Sequence, residues 1–235
     1  MTFLAVSPLC IQLDTKLKET KLPDQKHDMS QGEVAYAKLF KAIAAGQFRP
    51  GDRLRETEIS QRFSLSRTPI REALRKLEAD GIVEHRPRLG AVIRTLSHAE
   101  VVELYEMRIV LERTAAEMAA KHAVAAEIDE LKNINAAIAA SRNPDQAAAF
   151  NQSFHRCIYL ATRNRFLRES ARALNNALML LGPTTLADDA RIKTVTNQHK
   201  DIIDAIGSGD IQAAGDAAQT HLETSLRRRL KVLRG

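Results

Sequence analysis

The 235-residue chain has little of what marks secreted or membrane proteins: it contains two cysteines, Cys10 and Cys157, and no tryptophan. Two cysteines cannot form the disulfide framework of a small secreted protein, so a reducing cytoplasm is the expected compartment. No apolar stretch approaches the roughly 20 residues that a helix needs to cross a bilayer, so no membrane partner is expected. The stretch 4–13 also lacks the basic flank and cleavage site of a signal peptide.

The positive charge of the chain is concentrated in one segment. The formal net charge is +6 at pH 7, and residues 33–96 hold 13 Lys and Arg against 8 Asp and Glu. Residues 97–235 are nearly balanced, with 18 against 17, and residues 1–32 carry 4 of each sign. A basic segment beside a neutral one predicts that the segment 33–96 binds a polyanion.

The run from Leu65 to Val83 reads as an amphipathic helix with cations on its outer face. Four apolar residues recur at helical spacing, while three arginines follow another line of the same helix. Ser66 is placed to cap this helix and Gly81 to end it. The apolar line comprises Ile70, Ala73, Leu74 and Leu77, and the basic line comprises Arg67, Arg71 and Arg75.

The basic line has two interpretations. Its N-terminal tip favours contacts with phosphates and base edges, because helix N-termini present unpaired N–H groups and a positive dipole end. The alternative is a solvent-exposed face of salt bridges, with Glu72 and Glu78 as partners. The charge segregation favours the DNA-reading helix.

The elements around this run predict a winged helix-turn-helix. Helical periodicity covers residues 33–45 and 57–63, and the Pro-Gly pair at 50–51 marks a turn between them. After Gly81, residues 82–85 and 91–94 read as two strands joined by a basic loop. The order helix, helix, helix and hairpin is that of a winged DNA-binding domain.

Beyond residue 97 the strand signal disappears and helical periodicity continues to the end. Ser97 and Glu100 form a capping box that opens a long helix. The predicted fold is mainly α, with an N-terminal winged helix-turn-helix followed by an all-helical bundle. Residues 1–32 are expected to be a disordered tail, with Met29 as an alternative translation start, 33–96 the DNA-binding domain and 97–235 the effector-binding and dimerisation domain. The predicted bundle helices lie near 97–123, 125–141, 144–162, 165–181, 191–207 and 210–231.

Three histidines of the bundle are predicted to face inward. His199 and His221 each lie on an apolar helical stripe, and His155 follows Asn151 by one turn. A single inward histidine is usually a hydrogen-bonded core residue, but together these donors suit a first-row divalent metal such as Zn, Ni or Mn. Arg108 has two interpretations of equal weight: its guanidinium binds the carboxylate of an effector, or it forms an internal ion pair with Glu112.

Residues 33–96 resemble the winged helix-turn-helix of the GntR family of bacterial transcription regulators. The resemblance is carried by the run Ser66-Arg67-Thr68-Pro69-Ile70-Arg71-Glu72-Ala73-Leu74 and by the Leu77-Glu78 and Asp80-Gly81 pairs. Two positions depart from the usual pattern, Arg55 where a small capping residue is common and Ser64 where glycine is common. The DNA-contacting candidates are Arg55, Thr57, Ser66, Arg67, Thr68, Arg71, Arg88 and Gly90.

Residues 97–235 resemble the FCD effector domain of the FadR branch, in its six-helix, VanR-like variant. In that branch an Asp-x-x-Phe-His run and two later histidines mark a metal site. The implied ligands here are Asn151, His155, His199 and His221, with asparagine in place of aspartate. Because an amide oxygen is a weaker ligand than a carboxylate, a site without metal is the alternative.

These features together predict a ligand-responsive, homodimeric regulator that binds palindromic double-stranded operator DNA. A repressor of an operon for a small carboxylate is favoured, with the effector held by the metal and Arg108, and no catalytic activity. Two alternatives remain at this point, a metal-dependent hydrolase with a DNA-binding appendage and a purely structural histidine cluster. A hydrolase needs a general base beside the metal, and no carboxylate is paired with these histidines by motif.

Overall fold

The computed structural model describes residues 29–233, and the predicted tail up to residue 28 lies outside this part. The described chain forms two compact units. One contains residues 29–104 and 172–183, and the other contains residues 105–171 and 184–233. Within the described residues, no helix combines the length and the apolar character needed to cross a membrane.

The first unit has the predicted winged helix-turn-helix. Its first helix begins at Gln31, two residues before the predicted start, because Ser30 and Glu33 form a reciprocal capping box. Tyr36 donates a hydrogen bond of 2.5 Å to Asp80, which ties this helix to the end of the third one. The elements are α1 (Gln31–Ala44), α2 (Glu56–Phe63), α3 (Arg67–Ala79), β1 (Val83–Arg86) and β2 (Gly90–Ile93).

The core of this unit uses the apolar stripe that defines α3. Ile70 and Leu77 are fully buried there, as the spacing predicts. Leu180, from the 3-10 turn Met179–Leu181, belongs to the same buried cluster. Other large members of the cluster are Leu39, Ile59, Ile82 and Ile93.

The turn between α2 and α3 has a left-handed residue at its centre. Ser64 ends α2 with φ 52° and ψ 47°, a conformation that glycine adopts without steric cost. Ser64, at the position where the family pattern commonly has glycine, therefore does adopt the left-handed backbone conformation that favours glycine. Arg55, the other departure, occupies the N-cap position of α2 and makes no side-chain capping bond.

The wing is an antiparallel hairpin whose strands lie one residue off the predicted limits. Its register pairs Val83 with Ile93 and Arg86 with Gly90. At its tip, Arg88 has φ 65° and Gly90 has φ 80°. A connecting segment joins the sheet edge, because the Leu54 amide donates to the Ala91 carbonyl at 2.8 Å.

The second part of the chain is helical throughout, which confirms the predicted fold class. Ser97 and Glu100 form the predicted capping box, with bonds of 2.8 and 3.2 Å. Asn143 caps the helix that begins with Pro144, where proline loses no intrahelical hydrogen bond. The helices are α4 (His98–His122), α5 (Ala125–Ala140), α6 (Pro144–Ala161), α7 (Arg165–Leu178), α8 (Asp189–Ser208) and α9 (Ile211–Val232).

Candidate functional site

The exposed tip of α3 carries the predicted DNA-reading side chains. Ser66, Arg67, Thr68 and Arg71 are all exposed. Ser66 holds the N-cap position, but its side chain makes no capping hydrogen bond, so the predicted cap is wrong in that respect. Its hydroxyl is therefore not committed to the helix end.

Glu56 from the start of α2 pairs with both arginines. Arg71 donates two bonds of 2.9 Å to its carboxylate, and Arg67 donates one of 3.2 Å. The hydrogen bond from Arg71 is the main reason that the pKa of Glu56 is lowered. The partner of both arginines is thus a residue of the preceding helix. The salt-bridge interpretation of the sequence had expected Glu72 and Glu78 as partners instead.

A concave surface between α3 and the wing gathers most of the predicted contacts. It brings together Arg55, Thr57, Arg67, Arg71 and Gly90 from three separate segments, the start of α2, α3 and the wing. Ser66, Thr68 and Arg88 are exposed but do not belong to its lining. Its lining also includes Arg53 and His85, which the sequence pattern did not single out.

The three predicted histidines meet in the interior of the second unit. His155 comes from α6, His199 from α8 and His221 from α9, and their candidate ligand atoms lie within 4.8 Å of one another. The ring centroids are 4.7 to 5.5 Å apart. The inward orientation predicted from helical periodicity is correct for all three.

Hydrogen bonds orient two of the rings and leave the third unpaired. Glu112 Oε2 lies 2.5 Å from His155 Nδ1, and Gln198 Oε1 lies 3.2 Å from His221 Nδ1. These acceptors place the ring protons on Nδ1 and leave Nε2 available as a ligand. His199 is fully buried and stacks on Phe154 at 3.7 Å, and neither of its nitrogens has a hydrogen-bond partner among the described residues.

These features fit a bound divalent cation. A buried imidazole with two unpartnered nitrogens leaves its acceptor unsatisfied, and a metal ion satisfies it. Asn151 is half-buried one turn before His155, and its role as a ligand stays a prediction. None of the four candidate ligands is a carboxylate, and the carboxylate that contacts the cluster is that of Glu112.

Arg108 forms the internal ion pair that was one of its two predicted interpretations. Its Nε and Nη2 atoms donate to Glu112 Oε1 at 3.1 and 2.7 Å, and both residues are buried. Burial alone would raise the pKa of Glu112, but the attraction of His155 and Arg108 outweighs it and holds that pKa well below its usual range. The role of Arg108 in effector binding stays a prediction.

Glu112 is the member of this cluster that the sequence pattern did not reveal. The sequence indicated it only as a partner of Arg108, and although no motif pairs a carboxylate with the histidines, the fold brings Glu112 into contact with His155. The available signal was its position on the inward face of α4, four residues after Arg108. Its contact with His155 depends on how α4 meets α6, which no local pattern specifies.

Glu112→Gln is expected to lower the free energy of unfolding by about 3–5 kcal/mol, because it leaves Arg108 buried without its counterion. Denaturant unfolding of the metal-free protein measures this change. The matched control is Glu117→Gln, which breaks the ion pair between Arg113 and Glu117. Like the pair of Arg108 and Glu112, it lies on α4 and joins residues four apart. That pair is about 30% exposed, so solvent screens it and its loss should cost far less than the loss of the buried pair. Equal losses in the two variants would contradict the prediction.

The stability of the metal-free protein is expected to fall in mild acid. Burial and the neighbouring cationic groups hold the pKa of His199 and of His221 well below 6.5. Below pH 6.5 the unfolded chain binds protons that the folded chain excludes, so protonation favours unfolding. The loss reaches about 2.7 kcal/mol per pH unit while both rings stay neutral in the folded state.

Denaturant unfolding from pH 8 to pH 5 in a chelating buffer tests this dependence. The decline should become shallower in His221→Gln and stay unchanged in His98→Gln, which replaces an exposed histidine. An unchanged slope in His221→Gln would show that this ring does not stay neutral.

The fold and the two sites define a class of protein. A winged helix-turn-helix with exposed arginines precedes, in one chain, a helical domain with inward-facing polar donors. This is the organisation of a DNA-binding regulator with an attached sensing domain.

The particular family follows from comparison with known proteins. Residues 31–93 match the bacterial regulatory proteins of the gntR family, and residues 103–224 match the FCD domain. The chain belongs to the GntR family of bacterial transcription regulators, in the group that carries an FCD domain. The family predicted from the α3 motif and from the helical domain is confirmed.

Relatives and a solved structure support this assignment. The HTH-type transcriptional regulator YdhC of Bacillus subtilis (strain 168) is 30% identical over 190 residues, which cover 79% of this chain and 85% of that protein. The "Probable D-xylose utilization operon transcriptional repressor" of Paenarthrobacter nicotinovorans is 31% identical and covers 80% and 84%. A GntR transcriptional regulator from Rhodococcus sp. RHA1 has a TM-score of 0.75 at 25% identity, with coverage of 86% and 99%.

Proposed function

We propose that this protein is a homodimeric repressor that binds a palindromic operator and releases it when a small carboxylate enters the helical domain. The observation that carries the effector site is the set of three inward histidines, two oriented by acceptors and one unpartnered. The operon would serve the catabolism of that carboxylate. A regulator of this kind works where the bacterial chromosome lies, which is the cytoplasm.

The DNA-binding residues of the proposal are those predicted from the sequence. Arg67 and Arg71 would read base edges, because a guanidinium can pair with guanine O6 and N7 in a bidentate way. The remaining candidates would contact phosphates, which fixes the position and orientation of the protein on the DNA. Two-fold symmetry of the dimer would require two half-sites of matching symmetry. The supporting candidates are Arg55, Thr57, Ser66, Thr68, Arg88 and Gly90.

The metal-binding residues of the proposal are His155, His199 and His221, with Asn151 as a fourth, weaker ligand. A zinc, nickel or manganese ion bound there would supply a positive charge that attracts an anionic effector. Glu112 would orient His155, and Arg108 would hold Glu112 in place. We assign residues 33–96 to DNA binding and residues 97–235 to effector binding and dimerisation. Residues 1–32 are the tail that precedes these two domains.

Regulation then follows from a difference in affinity. An effector can shift the equilibrium only as far as its affinity differs between the operator-binding and the operator-free conformations. Each difference of about 1.4 kcal/mol changes operator affinity about tenfold, and linkage requires operator DNA to weaken effector binding equally.

The test begins with selection of genomic DNA fragments by the full chain. The affinity for the selected operator is then measured at fixed salt with and without small carboxylates, with the corresponding amides as neutral controls. At least one carboxylate should weaken operator binding about tenfold or more, while its amide should not. Selection of no preferred fragment, or an affinity that no carboxylate changes, would contradict the proposal.

A further inference from the structure

The tip of the wing exposes a leucine on the surface that would face DNA. Leu89 lines the concave surface between α3 and the wing, together with Arg67 and Arg71. Of the leucines in that lining, Leu54 and Leu74 are buried in the core of the unit, whereas Leu89 is 46% exposed. Leu89 therefore contributes little to the core and shares a surface with the arginines that are candidates for reading base edges.

The backbone of the wing turn holds Leu89 in a defined position. The strand register leaves Pro87, Arg88 and Leu89 as a three-residue loop, and the Leu89 amide donates to the Arg86 carbonyl at 3.2 Å. Proline at the second position of this turn and a φ of 65° at the third define a type II turn. Because the loop is short and hydrogen-bonded, placing its leucine against a ligand costs little conformational entropy.

Arg88 adopts an unfavourable backbone conformation in this turn. A type II turn favours glycine at its third position, where positive φ is strained for an arginine. Strain of this kind is concentrated at binding sites, where the surrounding structure imposes it. The Arg88 side chain is exposed directly beside Leu89, where it would meet a phosphate at the border of a groove.

An exposed leucine gains free energy in a DNA complex only where it meets apolar surface. On a duplex, this surface lies chiefly in the thymine methyl groups, which are in the major groove, and in the faces of the stacked bases. The major groove is wide enough for α3, and a wing beside that helix would face the adjoining minor groove. Proteins that bind the minor groove insert leucine and similar side chains between base pairs, which partly unstacks the pairs and kinks the duplex.

We propose that Leu89 is an apolar wedge that the wing inserts between two base pairs from the minor groove. Arg88 would contact a phosphate that borders the opened step. Because pyrimidine–purine steps kink and unstack readily, Leu89 would select TA or CA at a position that no side chain reads by hydrogen bonds. This inference rests on the proposed function in that the winged domain binds specific DNA, and it makes Leu89 a specificity-determining residue.

Selection from a random-sequence duplex library by the full chain, without effector, tests the preference. The parent should enrich a pyrimidine–purine step at a fixed distance from the base pairs that α3 reads. Leu89→Ala should lower this enrichment about fivefold or more while keeping the preference at the α3 positions. Leu89→Met keeps a long apolar side chain and should keep the step. The control is Val124→Ala, which shortens a side chain that is 52% exposed in the helical domain and should select as the parent does.

Unstacking is measured with aminopurine, a fluorescent analogue of adenine, at the selected step. At saturating protein, the parent and Leu89→Met should raise its fluorescence about threefold or more, because the base loses a stacking neighbour. Leu89→Ala should give no comparable rise. Equal fluorescence with Leu89→Ala and with the parent, or no rise with the parent, would overturn the wedge. A loss of affinity when uracil replaces thymine, without a rise in fluorescence, would place Leu89 on a methyl group of the major groove and overturn it as well.

The stability of the protein separates a wedge from a packing residue. Leu89→Ala should melt at the temperature of the parent, because the side chain is exposed and lies outside the buried core cluster. A lower melting temperature with unchanged selection of DNA would assign Leu89 to packing and overturn the wedge.

The two proposals fail in different ways. If a carboxylate releases the operator but the parent selects no pyrimidine–purine step, the wedge is wrong and the proposed regulator stands. If Leu89 selects and unstacks the step but no carboxylate changes operator affinity, the wedge stands and the proposed regulation is wrong.

Discussion

Replacement of Arg67 and Arg71 by alanine is expected to weaken operator binding by about 100-fold or more at fixed salt. Each bidentate arginine–guanine contact is worth about 1–3 kcal/mol of discrimination, so two lost contacts account for an effect of this size. Both side chains are exposed at the tip of α3, where each pairs with Glu56. Fluorescence anisotropy with labelled operator measures the change.

The control for this variant removes charge elsewhere. Arg142→Ala lowers the net charge from an exposed position in the helical domain and should change operator affinity by less than about twofold. The preference for operator over random DNA should fall in the double variant as well. An unchanged preference would assign Arg67 and Arg71 to phosphate contacts only.

Loss of bound metal is the second large effect, and it is expected in His199→Ala. The parent, purified without a histidine tag or chelators, should carry close to one divalent ion per chain, and the variant should carry less than about a tenth of that. His199 is the ring with two unpartnered nitrogens, so its removal takes away the candidate ligand whose nitrogens are free to bind the ion. Elemental analysis by mass spectrometry measures the content.

Two further variants make this measurement decisive. His98→Ala replaces an exposed histidine and should retain the metal, while circular dichroism confirms that His199→Ala is folded. Asn151→Asp should bind metal more tightly than the parent, because a carboxylate is a stronger ligand than an amide. Metal in Asn151→Asp but not in the parent would show that the neutral ligand set does not hold an ion.

The elements that could be predicted from the sequence are those specified locally. The stripe of α3, the capping box at Ser97 and the helical periodicity around His199 are each contained in a few consecutive residues. Even there, the sequence identified Ser66 as the N-cap residue, but it did not show that the Ser66 hydroxyl makes no capping hydrogen bond. The left-handed turn at Ser64 was visible only as a departure from a family pattern.

The polar interior was harder to predict because its contacts join separate helices. A helical i, i+4 pattern indicated that Arg108 and Glu112 could pair, but it could not show Glu112 reaching His155.

The pairing of Glu56 with Arg67 and Arg71 has a consequence for the ionic-strength dependence of DNA binding. A lysine or arginine that meets a phosphate usually gains affinity from the counterions that the DNA releases. In this protein the Glu56 carboxylate already pairs with both guanidinium groups, and DNA bound by these arginines would have to displace it and leave it to attract a cation of its own. Complex formation would therefore release fewer ions than the number of basic contacts suggests. The arginines of α3 would then contribute more through orientation than through ion release, and the discrimination expected from them should persist in concentrated electrolyte better than simple charge attraction would.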